Sequence, residues 1–245
     1  MHDEQRVAVI TGGSSGIGLA TGADLVRRGY DVVLTARTED KLRAAAASSG
    51  ARWVAGDCSD PAAFAAVVHE AGRVDLLVHA AGEMAGTFVR NESIATFESV
   101  LRTNLTSAFV VANASLPLMT VGGRMIFLSS SSSHAPQPGK SAYSASKAGL
   151  NAFAAALAKE VEGDGVSVHV VATGPVATPM LDDVHFPMRT LATSDVVEVI
   201  VWLDTLPGNV VLPEIEVSSV SSGPFTPEVF VPEAARKLGR TELAT

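Results

Sequence analysis

Cysteine is almost absent from this chain: Cys58 stands alone, so no disulfide can form within it. A reducing compartment, the cytoplasm, is the expected setting. Lysine and arginine number 18 against 26 acidic residues, a net charge of −8, and nowhere form a dense run. Nucleic acid and anionic membrane surfaces are therefore not expected as partners. No uninterrupted apolar stretch is long enough to cross a bilayer. The charged start "MHDEQR" leads straight into an apparent strand, so no secretory leader is expected. His134 and His185 lie far apart and lack carboxylate or cysteine spacing, so both read as loop residues and no metal site is expected.

What is present is a chain of 245 residues, 47% hydrophobic, enough to bury a substantial core. Short β-rich runs at 6–10, 31–36, 52–55, 76–79, 124–128, 166–171 and 215–220 alternate with helical stretches at 17–28, 39–48, 61–71, 97–116, 142–162 and 194–206. Several strand runs are continuously apolar, as in parallel strands covered on both faces. Thr193 or Ser194 is the expected cap of the last helix. Such alternation implies right-handed crossovers and a single α/β domain over residues 1–245. Its expected architecture is a doubly wound, Rossmann-type parallel sheet of about seven strands with helices on both faces. No repeat or linker breaks the pattern.

The stretch "VAVITGGSSGIGLATGADLVRRG", residues 7–29, places a glycine-rich corner between a strand and a helix. Gly12 permits a tight turn. Gly16 and Gly18 let a pyrophosphate approach the backbone and let the helix pack on the sheet. The helix start then aims free N–H groups at the anion. The spacing is Gly-x-x-x-Gly-x-Gly rather than Gly-x-Gly-x-x-Gly, and a ligand-free turn is the competing reading.

Further on, "YSASK" sets Tyr143 and Lys147 four residues apart, on one helical face. Ser130 ends the strand "MIFLSS", and Asn104 lies midway along a long predicted helix. With "TGGSSGIG", "GD" at 56–57, "AAG" at 80–82 and "GPVAT" at 174–178, these marks resemble the short-chain dehydrogenase/reductase family, in order and spacing, from about residue 6 to 180. The resemblance implies an oxidoreductase that transfers a hydride between a nicotinamide and a ketone or secondary alcohol, of carbonyl reductase (ketoreductase) or alcohol dehydrogenase type. A non-catalytic dinucleotide sensor is the rival reading; it would keep the glycines without needing Ser130, Tyr143 and Lys147. An enoyl reductase on the same fold has a longer Tyr-to-Lys spacing.

A free tyrosine has a pKa of about 10, and a cation one turn away pulls it down. On this reading Tyr143 is the acid/base, Lys147 its activating cation, and Ser130 the hydrogen-bond partner of the substrate oxygen. Ser129 competes for that last role. By resemblance, Lys147 also holds the nicotinamide ribose, and Asn104 holds a water linking Lys147 to solvent. The resemblance further implies cofactor contacts from Gly12, Ser14, Ser15, Gly16, Ile17 and Gly18. Others come from Arg37, Thr38, Asp57, Cys58, Ala81 and Gly82, and from Gly174, Val176 and Thr178. Cys58 reads as a packed small residue, not a reactive thiol.

Ala36 stands where the family's NAD enzymes carry Asp, and Arg37 follows. A guanidinium can bind a 2′-phosphate that a carboxylate would repel, so NADP(H) is the expected cofactor; a solvated Arg37 is the alternative. Ala80 replaces the family's Asn and Thr173 its Pro, which bears on how those strand ends are braced. Residues 179–192 form a short segment that either covers the substrate or packs on its own domain. Residues 224–245 form a C-terminal tail outside the family pattern. The resemblance also implies a homo-oligomer, dimer or tetramer, through the helices at 97–116 and 142–162.

Overall fold

The computed structural model of the chain describes residues 5–185, 187–220, 229–230, 233–237 and 239. The first strand, β1 (Val7–Thr11), is buried throughout. Val7 and Val9 join one core cluster, while Ala8 and Ile10 join another. That is the two-residue period of a strand covered on both sides. A right-handed path leads through α1 (Gly16–Arg27), β2 (Asp31–Ala36), α2 (Glu39–Ser49) and β3 (Arg52–Ala55). After α3 (Pro61–Ala71) the chain crosses to the other side of β1 as β4 (Val74–His79). There follow α4 (Ile94–Leu101), α5 (Ser107–Ser115), β5 (Met119–Ser130), α6 (Ser141–Glu160) and β6 (Ser167–Thr173). Among the described residues the rest are β7 (Met188–Arg189), α7 (Thr193–Thr205), β8 (Glu214–Val217), β9 (Val229–Phe230) and α8 (Glu233–Lys237).

Seven of the described strands form one parallel sheet in the order β3-β2-β1-β4-β5-β6-β8. The order reverses between β1 and β4, which opens a crevice at their carboxyl ends. One core layer joins Phe64, Val111 and Leu150, from α3, α5 and α6, to Leu77 and Phe127. The other joins Leu25, Leu42 and Ile200, from α1, α2 and α7, to Ile10 and Leu34. Burying each such side chain contributes about 1.5–3 kcal/mol.

The structure corrects several expectations. β5 begins at Met119, not residue 124, because Met119 pairs with Val74 across an irregularity in β4. Asp75 ties this region down, accepting from Val7 N at 2.8 Å and Thr120 Oγ1 at 2.7 Å. β8 is shorter than the run 215–220 and closes one edge. The helix expected over 97–116 starts earlier, at Ile94, where Ser93 Oγ accepts from Thr96 N at 3.0 Å. It is also interrupted by a π-helical turn, Arg102–Thr106, before α5. The cap of α7 is Ala192, whose N–H donates to Asp195 Oδ2 at 2.8 Å; Thr193 lies inside the helix and donates to Ala177 O at 3.2 Å. A small antiparallel pair, Met188–Arg189 with Val229–Phe230, joins the segment at 179–192 to part of the tail. Of the rest of the tail, α8 and residue 239 are described, while 224–228, 231–232, 238 and 240–245 lie outside the described residues.

A polar knot closes the end of α7 onto the sheet. Asp204, with only 4% of its side chain exposed, accepts from Arg6 Nη1 at 2.7 Å and Nη2 at 2.9 Å. The Tyr30 hydroxyl also donates to it, and the guanidinium of buried Arg124 lies 3.9 Å away. Arg124 in turn donates to Leu206 O. Burial, reinforced by Asp204, holds the Tyr30 phenol above its usual range. Removing the carboxylate leaves a buried guanidinium without its counter-charge. Asp204→Ala is expected to cost about 3–5 kcal/mol in urea unfolding. A loss below about 1 kcal/mol would show that the knot does not hold α7.

Candidate active site

The crevice is a cleft of about 640 Å³. Its floor is the corner after β1. Gly12 has φ +67°, and a Cβ there would lie 2.8 Å from Ala80 C and O. A Cβ on Gly18 would lie 2.5 Å from Gly12 O, so the first turn of α1 rests directly on the corner. Gly13 is stitched to β2 through Thr35 O at 3.1 Å. Gly16 has φ +54° and faces Thr178. Ser15 is the N-cap of α1 but makes no side-chain cap bond, so the first-turn amides keep their donors for an acceptor in the cleft. A backbone cradle without side chains, ended by uncapped amides, fits a dinucleotide pyrophosphate.

Ser14, Ser15, Ile17, Arg37 and Thr38 line this end of the cleft with Asp57 and Cys58. Burial pushes the Asp57 carboxyl upward, but hydrogen bonds from Ser59 N and Oγ, both 2.9 Å, and the charges of Arg37 and Arg102 outweigh it. The carboxyl stays below its usual range. Burial first, and then Asp57, push the Cys58 thiol up to about 11. This is a packed, unreactive sulfur.

The other end is built by β5 and α6. Tyr143 is 8% exposed and lines the cleft beside Ser130, whose Oγ accepts from Ser132 N at 3.1 Å. Ser129 is engaged elsewhere: its Oγ donates to Asn151 Oδ1 at 2.5 Å. Lys147, one turn after Tyr143, donates from Nζ to Leu128 O at 2.8 Å and lies 5.8 Å from the Tyr143 ring centroid. Burial pushes Lys147 down to about 8. The expected lowering of Tyr143 does not appear. Burial raises the phenol above its usual value more than the neighbouring Ser130 lowers it, and the ammonium faces the ring and a carbonyl.

Asn104 does not line the cleft. Its Oδ1 accepts from Glu83 N at 2.8 Å, and its Nδ2 donates to Glu83 O at 3.0 Å and Ser146 Oγ at 2.9 Å. The amide thus ties Glu83, just after β4, to Ser146 of α6. Ala81 and Gly82 of that stretch line the cleft, as do Gly174, Val176 and Thr178. Gly174 N donates to Val217 O at 2.8 Å, which fixes the turn after Thr173.

Two features had no expectation attached. The first is His79, at the end of β4. Ser107 Oγ donates to Thr103 O at 2.5 Å, so it accepts from His79 Nε2 at 3.0 Å. His79 Nδ1 then accepts from Thr11 Oγ1 at 2.8 Å, and Thr11 Oγ1 accepts from Ala81 N at 3.1 Å. Burial, then Lys147, push His79 down to about 3, so it stays neutral. This chain of bonds braces the strand end that Ala80 leaves without an amide. The second is Met84, Gln137 and Lys140, which line the cleft together with Met180, Leu181 and Met188 of the segment at 179–192. The segment at 179–192 therefore borders the cleft, while Phe186 lies outside the described residues. His185 is exposed, and His134 pairs with Glu214 Oε1 at 2.6 Å.

This fold, with a glycine cradle at its switch point, is that of dinucleotide-dependent oxidoreductases. The family model described as short chain dehydrogenase matches residues 6–187. An acetoacetyl-CoA reductase of Acinetobacter is 36% identical over 191 residues, covering 73% of this chain and 77% of the relative. The 3-oxoacyl-[acyl-carrier-protein] reductase of Escherichia coli is 34% identical over 188 residues, covering 74% and 77%. The crystal structure of a short chain dehydrogenase from Burkholderia cenocepacia in complex with NADP superposes with a TM-score of 0.78. It is 26% identical, covering 87% of this chain and 95% of that one. The chain belongs to the short-chain dehydrogenase family and is an oxidoreductase that works with a nicotinamide dinucleotide.

Proposed function

We propose that the protein is an NADP(H)-dependent carbonyl reductase or alcohol dehydrogenase acting on a small ketone or secondary alcohol. The observation that carries this is the convergence of Ser130, Tyr143 and Lys147 on one buried end of the cleft, with Lys147 one turn after Tyr143. A dinucleotide sensor would need the glycine cradle but not this convergence. The nicotinamide, when bound, supplies or takes the hydride. Tyr143 gives its phenol proton to the carbonyl oxygen in reduction and takes it back in oxidation. Its buried phenol is held protonated, which suits donation. Ser130 holds the substrate oxygen against that phenol, and Lys147 screens the tyrosinate left behind. The reductase names of two relatives support the direction of reduction.

Arg37 is assigned to the 2′-phosphate of NADP. It follows Ala36 at the end of β2, and the acid lining this end of the cleft, Asp57, is already bonded by Ser59. The complex of a structural neighbour with NADP supports the assignment. Assembly into a homo-oligomer is part of the same proposal. Phe109 on α5 is 56% exposed and stacks edge-on against Phe153 of α6, with ring centroids 6.4 Å apart. A second copy would cover this aromatic pair. A cytoplasmic location is inferred alongside, supported by the lone, buried thiol of Cys58.

Tyr143→Phe is expected to lower turnover by about 10²–10⁴-fold while leaving NADPH binding within about threefold, read by fluorescence titration. Turnover near that of the native enzyme would sink the mechanism. Arg37→Asp is expected to reverse the preference for NADP over NAD; if the native protein binds both equally well, Arg37 is not the selector. Light scattering at micromolar concentration is expected to give a multiple of 25.3 kDa. A mass of one chain would end the assembly proposal.

A further inference from the structure

Lys140 is the N-cap residue of α6, three positions before Tyr143, and it lines the substrate end of the cleft. Tyr143 lines the same cleft. A flexible lysine there can bring its ammonium beside the phenol. Among the described residues, the partner of Lys140 Nζ is the sulfur of Met84, at 3.2 Å. A thioether is a weak acceptor and carries no charge. Burial holds the ammonium below its usual range, and no carboxylate acts against that. A cation half removed from water and left on a sulfur is an unfavourable arrangement that an incoming anion relieves.

The rest of the cleft sharpens the point. The chain as a whole is acidic, at −8. Yet among the described residues its cleft is lined by Arg37, Lys140 and Lys147 against a single carboxylate, Asp57. That carboxylate sits at the opposite end, beside Arg37, and is bonded by Ser59. Lys147 is taken by Leu128 O, and Arg37 faces the cofactor end. Lys140 is the cation left for the substrate. Around it, Met84, Met180, Leu181 and Met188 supply an apolar wall for a short alkyl chain.

We propose that Lys140 selects the substrate: it pairs with the carboxylate of a short-chain oxo acid whose carbonyl oxygen is held by Ser130 and Tyr143. This rests on the reductase reading and deepens it. In the reaction the carbonyl carbon accepts the hydride and the C=O π bond breaks. The oxygen takes the Tyr143 proton, and the nicotinamide is left oxidised. The carboxylate, a few bonds away, passes through unchanged, and the product is the hydroxy acid.

The test compares 3-oxobutanoate and 4-oxopentanoate with their methyl esters, using NADPH and the native, Lys140→Met and Lys140→Arg proteins. Lys140→Met is expected to lower kcat/KM for the acids by about 10–100-fold, mostly through KM, the effect of losing one charge-assisted bond. The esters are expected to change by less than about threefold, and Lys140→Arg to keep the preference for acids. Pentanoate, which has no carbonyl to reduce, gives a readout apart from turnover. Calorimetry is expected to show it binding at least about tenfold more weakly to Lys140→Met. If Lys140→Met alters acids and esters alike, or binds pentanoate as the native protein does, the proposal is overturned while the reductase reading stands. If pentanoate binds through Lys140 but no ketone is reduced, the carboxylate site stands and the reductase reading fails.

Discussion

No side chain fits between the start of α1 and the end of β1. A methyl group on Gly18 would sit 2.5 Å from the Gly12 carbonyl, and one on Gly12 would sit 2.8 Å from the backbone of Ala80. Three segments therefore meet backbone to backbone: the corner, the first turn of the helix, and the end of β4. This contact decides where the amides of α1 point and where Ala81 and Gly82 enter the cleft. It also sets the distance between the cofactor cradle and the wall that carries Lys147. Had any of the three been held apart by a side chain, the two ends of the cleft would not share one ligand.

The polar bonds behind that contact are neutral and fully used. His79 donates through one nitrogen and accepts through the other, with Thr11 and Ser107 as partners. A charged imidazole there would stand close to the Lys147 ammonium with no water to shield it, and burial forbids it. Asn104 does comparable work from the other side, with both ends of its amide on Glu83 and its last proton on Ser146. Such saturation makes the backbone around Gly82 rigid, because loosening any one bond strands a buried donor or acceptor.

Much of this was legible in the sequence, for local reasons. The strand before the glycines is an unbroken apolar run, and the i,i+4 spacing of Tyr143 and Lys147 puts them on one helical face. Features decided by distant partners were not. The first half of β5 reads as a loop because Gly122 and Gly123 interrupt it; pairing with β4, and the bond from Gly122 N to Gly165 O, make it a strand. Nothing in "LRTNLTS" signals a break between α4 and α5, since neither glycine nor proline is present. The widened turn there coincides with Asn104, whose amide is committed to Glu83, 21 residues earlier. Ser129 and Ser130 are alike in sequence and are told apart by Asn151. Nothing local to His79 marks it as the link between Thr11 and Ser107. The sulfur that Lys140 faces belongs to Met84, far away in the sequence.

The family match ends at residue 187, and Met188, the next residue, lies on the cleft wall. Met188 and Arg189 are paired with Val229 and Phe230, close to the far end of the chain. One side of the cleft is thus tied to the C-terminal stretch by backbone pairing alone. A change in that stretch reaches the ligand's surroundings through this ribbon, while the cradle and the Tyr143 end, built from earlier strands and helices, stay as they are.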